Sequence, residues 1–150
     1  MTELSQHAVE MLSRAGWNAR RALDATDART ALAAEGFPPF PAVTEFLSVY
    51  GGLEIRNPDA LPPAAEDWYF DARRAIRDGA SLPYVTAYVR RLGTPLAPVG
   101  FGFRGYMLFM MDESGRVYGG YDDFLARVGS SGVDAINALC EGRRLTAIDG

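Results

Sequence analysis

The chain contains no lysine, one cysteine and one histidine. The scarcity of cysteine and histidine limits the disulfides and metal sites that the chain can form. With Cys140 as the sole cysteine, no intrachain disulfide can form. One Cys and one His cannot build a structural zinc site without carboxylate ligands. No apolar run approaches the ~18 residues of a membrane span, so no membrane partner is expected. Residues 1–6 lack the pattern of a signal peptide, which predicts a cytoplasmic location.

The charge of the chain argues against a nucleic-acid-binding protein. Its 15 basic residues are all arginines, the net charge is −4 and the pI is about 5.0. Because a nucleic-acid-binding domain usually carries a basic stripe, we expect no direct contact with nucleic acid. The 150 residues are 48% hydrophobic, which is enough to bury a core and argues against disorder. We therefore predict a single domain spanning residues 1–150.

Helices are predicted for most of the first half. One segment has apolar residues at the i, i+3, i+4 and i+7 positions of a helical face, namely Val43, Phe46, Leu47 and Tyr50. We expect Gly51 to end this helix with a positive φ. Leu53 and Ile55 then alternate with polar residues, as in a strand. A later helix should begin at Ser81 and bury one face, formed by Leu82, Val85, Val89 and Leu92.

The second half predicts a meander of strands followed by a helix. Residues 68–70 and 96–99 are candidate short strands, and residues 106–111 are apolar on both faces, as in a central strand. Residues 112–115 form a predicted hairpin loop before a partner strand at 116–118. Ser131 should cap a final helix that ends at Gly142. The predicted fold class is α+β, with a small, mostly antiparallel sheet wrapped by helices.

The candidate catalytic and ligand-binding motifs have simpler structural explanations. Residues 100–105 match G-x-G-x-x-G, but the next residues predict a strand rather than the helix that would hold a pyrophosphate. We therefore favour a glycine-rich turn over a dinucleotide site. Ser131 is better explained as a helix cap than as a nucleophile, and His7 lies among polar neighbours. We predict no enzymatic activity, no metal and no cofactor.

Acidic pairs beside aromatic residues are the best candidates for a binding surface. Asp112–Glu113 lies in the predicted hairpin loop, and Asp122–Asp123 follows its second strand, beside Tyr121. The two pairs should therefore lie at opposite ends of the sheet. Trp68 and Tyr69 follow a third acidic pair at 66–67. Such pairs also occur simply as solubilising surface, and the aromatic residues as core.

Several segments in this order resemble the third family of the SUKH superfamily, which comprises bacterial immunity proteins. They are residues 12–20, 35–37, 46–53, 98–100, 112–118 and 135–142. The resemblance spans nearly the whole chain and implies a SUKH-like α+β fold. It also implies a cytoplasmic protein that binds a polymorphic toxin domain, often a nuclease or a nucleic-acid deaminase, and neutralises it. Occlusion of the toxin's active site is the expected mechanism.

The shared segments are mostly helix ends and core positions, so they indicate the fold rather than the surface that faces a toxin. Candidate toxin-binding residues come from the acidic and aromatic groups and are Tyr121, Asp122, Asp123, Asp112, Glu113, Trp68 and Tyr69. Asp122 and Asp123 are favoured because Tyr118 and Tyr121 lie beside them and add contact area next to their charges. The alternative is a general protein-interaction or ligand-binding module with no toxin partner. The oligomeric state stays open.

Overall fold

A computed structural model describes residues 3–57 and 67–148. The proline-rich residues 57–63 predict a loop, most of which lies outside these ranges. The described helices are α1 (Gln6–Arg14), α2 (Thr26–Ala34), α3 (Pro41–Tyr50), α4 (Ala72–Arg77), α5 (Leu82–Leu92) and α6 (Gly132–Glu141). The described strands are β1 (Glu54–Arg56), β2 (Asp67–Phe70), β3 (Ala97–Gly102), β4 (Met107–Met111), β5 (Val117–Tyr121), β6 (Phe124–Gly129) and β7 (Thr146–Ala147).

The strands form one antiparallel sheet in which sequence order is also spatial order, from β1 to β7. Two helices, α4 and α5, connect β2 to β3, and α6 connects β6 to β7. The predicted α+β class is therefore confirmed. Because consecutive strands run in opposite directions, the β3–β4 and β5–β6 turns lie at the same end of the sheet. The β4–β5 turn lies at the other end.

Helices cover both faces of the sheet. Neighbouring residues on a strand point to opposite faces, and on β2 the ring of Phe70 packs edge-on against Phe46 of α3 at 4.8 Å. The ring of Tyr69 instead lies 3.9 Å below the guanidinium of Arg74 on α4. All five residues of β4 are buried as a result, which confirms the predicted central strand.

The helix ends largely follow the sequence pattern. Ser5, Asp71, Ser81 and Ser131 cap α1, α4, α5 and α6 through side-chain oxygens. The expectation for Gly51 was wrong, because its φ is −68° and the positive φ, +79°, belongs to Gly52. Gly51 is extended, and a Cβ there would overlap the carbonyl oxygen of Leu47. A glycine is needed at position 51 for space, and at 52 for its backbone conformation.

Two further expectations need correction. The sequence did not predict β6 or β7, so Asp122 and Asp123 were read as the exit of a strand rather than as a tight turn. On α5 the fully buried residues are Val85 and Tyr88, whereas Leu82 is 43% exposed. Tyr88 is buried because its ring covers Gly120, where a Cβ would overlap it. No helix within the described ranges is long and apolar enough to cross a membrane.

Candidate functional site

The two turns at one end of the sheet enclose an apolar groove of about 460 Å³, which we call the aromatic groove. Its lining residues are Phe103, Tyr106, Met107, Tyr121, Phe124, Arg144 and Leu145. Tyr106 is 73% exposed and Tyr121 is 40% exposed. The Tyr121 ring stacks on Phe124 at 5.0 Å, so the two rings present one continuous surface. Exposed aromatic groups gathered in a groove are typical of protein-binding sites.

The backbone of both turns adopts an unusual conformation. Phe103, Arg104 and Asp122 have φ values of +54°, +59° and +47°, and within the described ranges they are the non-glycine residues with positive φ. This region costs a residue with a Cβ roughly 1–2 kcal/mol. Strain of this kind gathers at functional sites, where the surrounding structure holds the backbone in place. All three residues lie at the end of the sheet that bears the groove.

One wall of the groove adjoins an acidic turn, which consists of Asp122 and Asp123. Both residues are exposed, and neither carboxylate has an ion-pair partner among residues 3–57 and 67–148. Their main-chain carbonyl oxygens, in contrast, accept hydrogen bonds from Tyr88 and Arg91 of α5. The turn therefore presents two free negative charges beside exposed aromatic rings.

A sequence model of the SUKH-3 immunity protein family matches residues 4–142. The chain belongs to the SUKH-3 immunity protein family. Its role is accordingly that of an immunity protein, and the resemblance found in the sequence is confirmed. The chain matches no curated protein and no solved structure.

The structure separates the candidate binding residues of this immunity protein into three places. Tyr121, Asp122 and Asp123 lie together beside the aromatic groove. The expectation that Tyr118 adds contact area there was wrong, because Tyr118 is buried within β5 with 8% of its surface exposed. Asp112 and Glu113 lie in the β4–β5 turn at the opposite end of the sheet, as the hairpin geometry predicted. Glu113 is exposed, but Asp112 is only 3% exposed.

Asp112 holds the β4–β5 turn together. Its Oδ1 accepts hydrogen bonds from the main-chain N–H groups of Ser114 and Arg116, both at 2.9 Å. Its Oδ2 lies 3.9 Å from the guanidinium of Arg116. Every one of these partners belongs to the same turn, so the carboxylate of Asp112 stabilises the β4–β5 turn.

Trp68 and Tyr69 of β2 are core residues, with exposures of 1% and 7%. The Tyr69 hydroxyl donates a hydrogen bond of 2.8 Å to Asp78. Burial, together with the Asp78 carboxylate, raises the pKa of the Tyr69 hydroxyl well above its usual value. Trp68 packs against Phe70 on the other face of the sheet. Asp67, at the start of β2, accepts a hydrogen bond from the main-chain N–H of Arg104.

The motifs considered for chemistry have structural roles in this fold. Gly100 and Gly102 lie within β3, and a Cβ at Gly100 would overlap the carbonyl oxygen of Tyr69. Strand β4, rather than a helix, follows the glycine-rich segment. Burial raises the pKa of the Cys140 thiol to about 12, so it is a poor nucleophile. His7 is exposed, as predicted.

Sequence reasoning missed most of the aromatic groove. Phe103 was assigned to a glycine-rich turn, Tyr106 to a strand, and Phe124 and Leu145 were given no role. Only the fold brings these residues together, because they come from two turns and a C-terminal segment. A usable signal was present in the pair of aromatic residues that flanks Asp122–Asp123, which is typical of a two-residue hairpin turn.

Proposed function

We propose that this immunity protein binds a cognate toxin domain through the aromatic groove and the acidic turn, and covers the toxin's active site. The exposed aromatic groove next to two unpaired carboxylates is the observation that carries the proposal. Within the described ranges, Tyr106 is the most exposed of the large hydrophobic residues, and Tyr121 shares its groove. Tyrosines in such positions supply most of the binding energy at many interfaces.

The charges of the site favour a toxin that acts on nucleic acid. An enzyme that binds a phosphate backbone needs a cationic cleft. The carboxylates of Asp122 and Asp123 would face that cleft and take the place of phosphates. An apolar or aromatic side chain at the rim of the cleft would enter the groove. A nuclease or a nucleic-acid deaminase fits this description, and occupation of the cleft would exclude the substrate.

Alanine substitution of the two tyrosines tests the surface. We expect Tyr106→Ala and Tyr121→Ala each to weaken binding to the cognate toxin domain, by about 1–2 kcal/mol or roughly 5- to 30-fold in Kd. Calorimetry with a catalytically inactive toxin measures the change. Leu23→Ala is the matched control, because Leu23 is 44% exposed and lies beside Gly52, toward the other end of β2. Unchanged affinity in both tyrosine variants would reject this surface.

A competition experiment tests occlusion separately. A labelled oligonucleotide bound to the inactive toxin should be released by the immunity protein in proportion to its occupancy. A ternary complex of toxin, oligonucleotide and immunity protein would show that inhibition does not proceed by covering the active site. The proposed binding surface would then be supported by the tyrosine variants alone.

A further inference from the structure

Two residues of α5 contact the acidic turn from its inner side. The Tyr88 hydroxyl donates a hydrogen bond of 2.9 Å to the main-chain oxygen of Asp122. One terminal nitrogen of Arg91 donates a 2.7 Å bond to the main-chain oxygen of Asp123. The other terminal nitrogen donates a 2.8 Å bond to the main-chain oxygen of Ile148. Arg91 therefore connects the acidic turn to the C-terminal segment, residues 144–148. The C-terminal segment lines the aromatic groove, and the acidic turn lies between two other residues that line it, Tyr121 and Phe124.

These contacts leave the side chains of the turn free. Tyr88 and Arg91 bind the main-chain oxygens of the turn, so the carboxylates of Asp122 and Asp123 still face solvent. The contacts also fix a backbone that would otherwise relax, since Asp122 has a φ of +47°. A two-residue hairpin turn with positive φ at its first position normally has glycine there. Here an aspartate occupies that position, and α5 holds it in place.

The arrangement of Arg91 is unusual for a residue that only stabilises the fold. Its side chain is half-buried, and its Nε is buried with no hydrogen-bond partner. Within residues 3–57 and 67–148 it forms no ion pair, although removing a guanidinium from water is costly. Its planar shape lets it bind two separate carbonyl oxygens at once, which a lysine ammonium does less well.

We infer that Tyr88 and Arg91 are positioning residues for toxin binding: they hold the acidic turn and the C-terminal wall of the groove in the binding conformation before the toxin arrives. This inference rests on the proposed function. A surface that is already ordered loses less conformational entropy on binding. The benefit appears mainly as slow dissociation, because association depends chiefly on charge and diffusion.

The first test uses the free immunity protein. Arg91→Lys keeps the charge but loses the planar guanidinium, whose two terminal nitrogens bind the main-chain oxygens of Asp123 and Ile148. We expect amide hydrogen exchange in residues 121–125 and 145–148 to accelerate about tenfold, which corresponds to ~1.4 kcal/mol. Tyr88→Phe keeps the ring over Gly120, removes only the hydroxyl, and should accelerate exchange in residues 121–125 alone. Arg90→Lys is the control, since Arg90 is exposed on the same helix. Unchanged exchange in Arg91→Lys would overturn the inference.

The second test uses the complex with the inactive toxin. We expect Arg91→Lys to dissociate about five to ten times faster, with the association rate and its salt dependence retained because the charge is kept. Faster exchange without faster dissociation would show that the contacts serve the fold and not binding, and would overturn the positioning role. Failure of the proposed function itself gives a different result, in which Tyr106→Ala and Tyr121→Ala bind the toxin normally.

Discussion

At the scale of single residues, Gly51 and Gly52 require glycine for different physical reasons. Gly51 has an ordinary extended backbone but lies against the main chain of Leu47, so there is no space for a side chain. A Cβ at Gly52 would make only ordinary van der Waals contacts, 3.6 Å from Arg21 and 4.0 Å from Leu23, but Gly52 has a φ of +79°. The sequence indicated that a helix ends here. It did not indicate which glycine turns the chain, because both constraints select the same residue.

Alanine substitutions separate the two constraints. Gly51→Ala should destabilise the protein by ~3 kcal/mol, because the new methyl group overlaps a carbonyl oxygen that is fixed within α3. Gly52→Ala should cost only ~1 kcal/mol, the penalty of the left-handed backbone. At this chain length, 1 kcal/mol lowers Tm by about 2–4 °C, so thermal denaturation followed by circular dichroism resolves the difference. A larger loss in Gly52→Ala would contradict the assignment of the close approach to Gly51.

At the scale of helices and strands, the sequence predicts the elements whose structure is determined by their own residue pattern. The helices with a capping residue and a glycine end were found, as was β4, whose unbroken apolar run requires cover on both faces. Strand β6 was missed because its exposed Arg127 and small Ala126 give a weak pattern. Strand β6 depends on its pairing with β5 and its packing against α6, and its own residue pattern shows neither contact.

The candidate site was predictable only in part for the same reason. Asp122, Asp123 and Tyr121 are predicted to lie together, since they are adjacent in the chain. Their proximity to Tyr106 follows from the meander, which places the β3–β4 and β5–β6 turns at one end. Without β6, no pattern in the sequence places Tyr106 and Tyr121 in one groove. The contribution of α5 through Tyr88 and Arg91 depends on tertiary packing alone.

The β4–β5 turn depends on a single carboxylate. Asp112→Ala leaves two N–H groups of the turn without their acceptor and should cost ~1–3 kcal/mol. Asp112→Asn keeps a carbonyl oxygen that can accept these bonds, and should recover most of the loss. Chemical denaturation of both variants measures the difference, with the exposed Glu113→Ala as the control. If the folded Asp112→Asn variant lost toxin binding, Asp112 would be assigned to the interface as well.

At the scale of the whole molecule, the sheet presents an acidic group at each end. Asp122 and Asp123 lie at the groove end. Glu113 lies at the other end, and Glu45 of α3 joins it there, since Ala42 of the same helix lies beside Gly115. Glu45 and Glu113 are both exposed. Each end thus carries two exposed carboxylates, and the ends differ in their aromatic content. A toxin attracted by charge alone would approach either end, and only the groove end adds apolar contact area.

Charge reversal at each end tests which one receives the toxin. Asp122→Arg with Asp123→Arg and Glu45→Arg with Glu113→Arg change the net charge from −4 to 0 in both cases, since each substitution adds two units. We expect the first pair to slow association about tenfold or more at low salt, and the second pair to have a much smaller effect. The difference should shrink as added salt shortens the Debye length from ~30 Å at 0.01 M to ~8 Å at 0.15 M. Stopped-flow association rates across this range measure the effect, and unchanged melting temperatures confirm the folds. Equal slowing by both pairs would mean that net charge alone steers the encounter, and greater slowing by the second pair would move the interface to the β4–β5 turn.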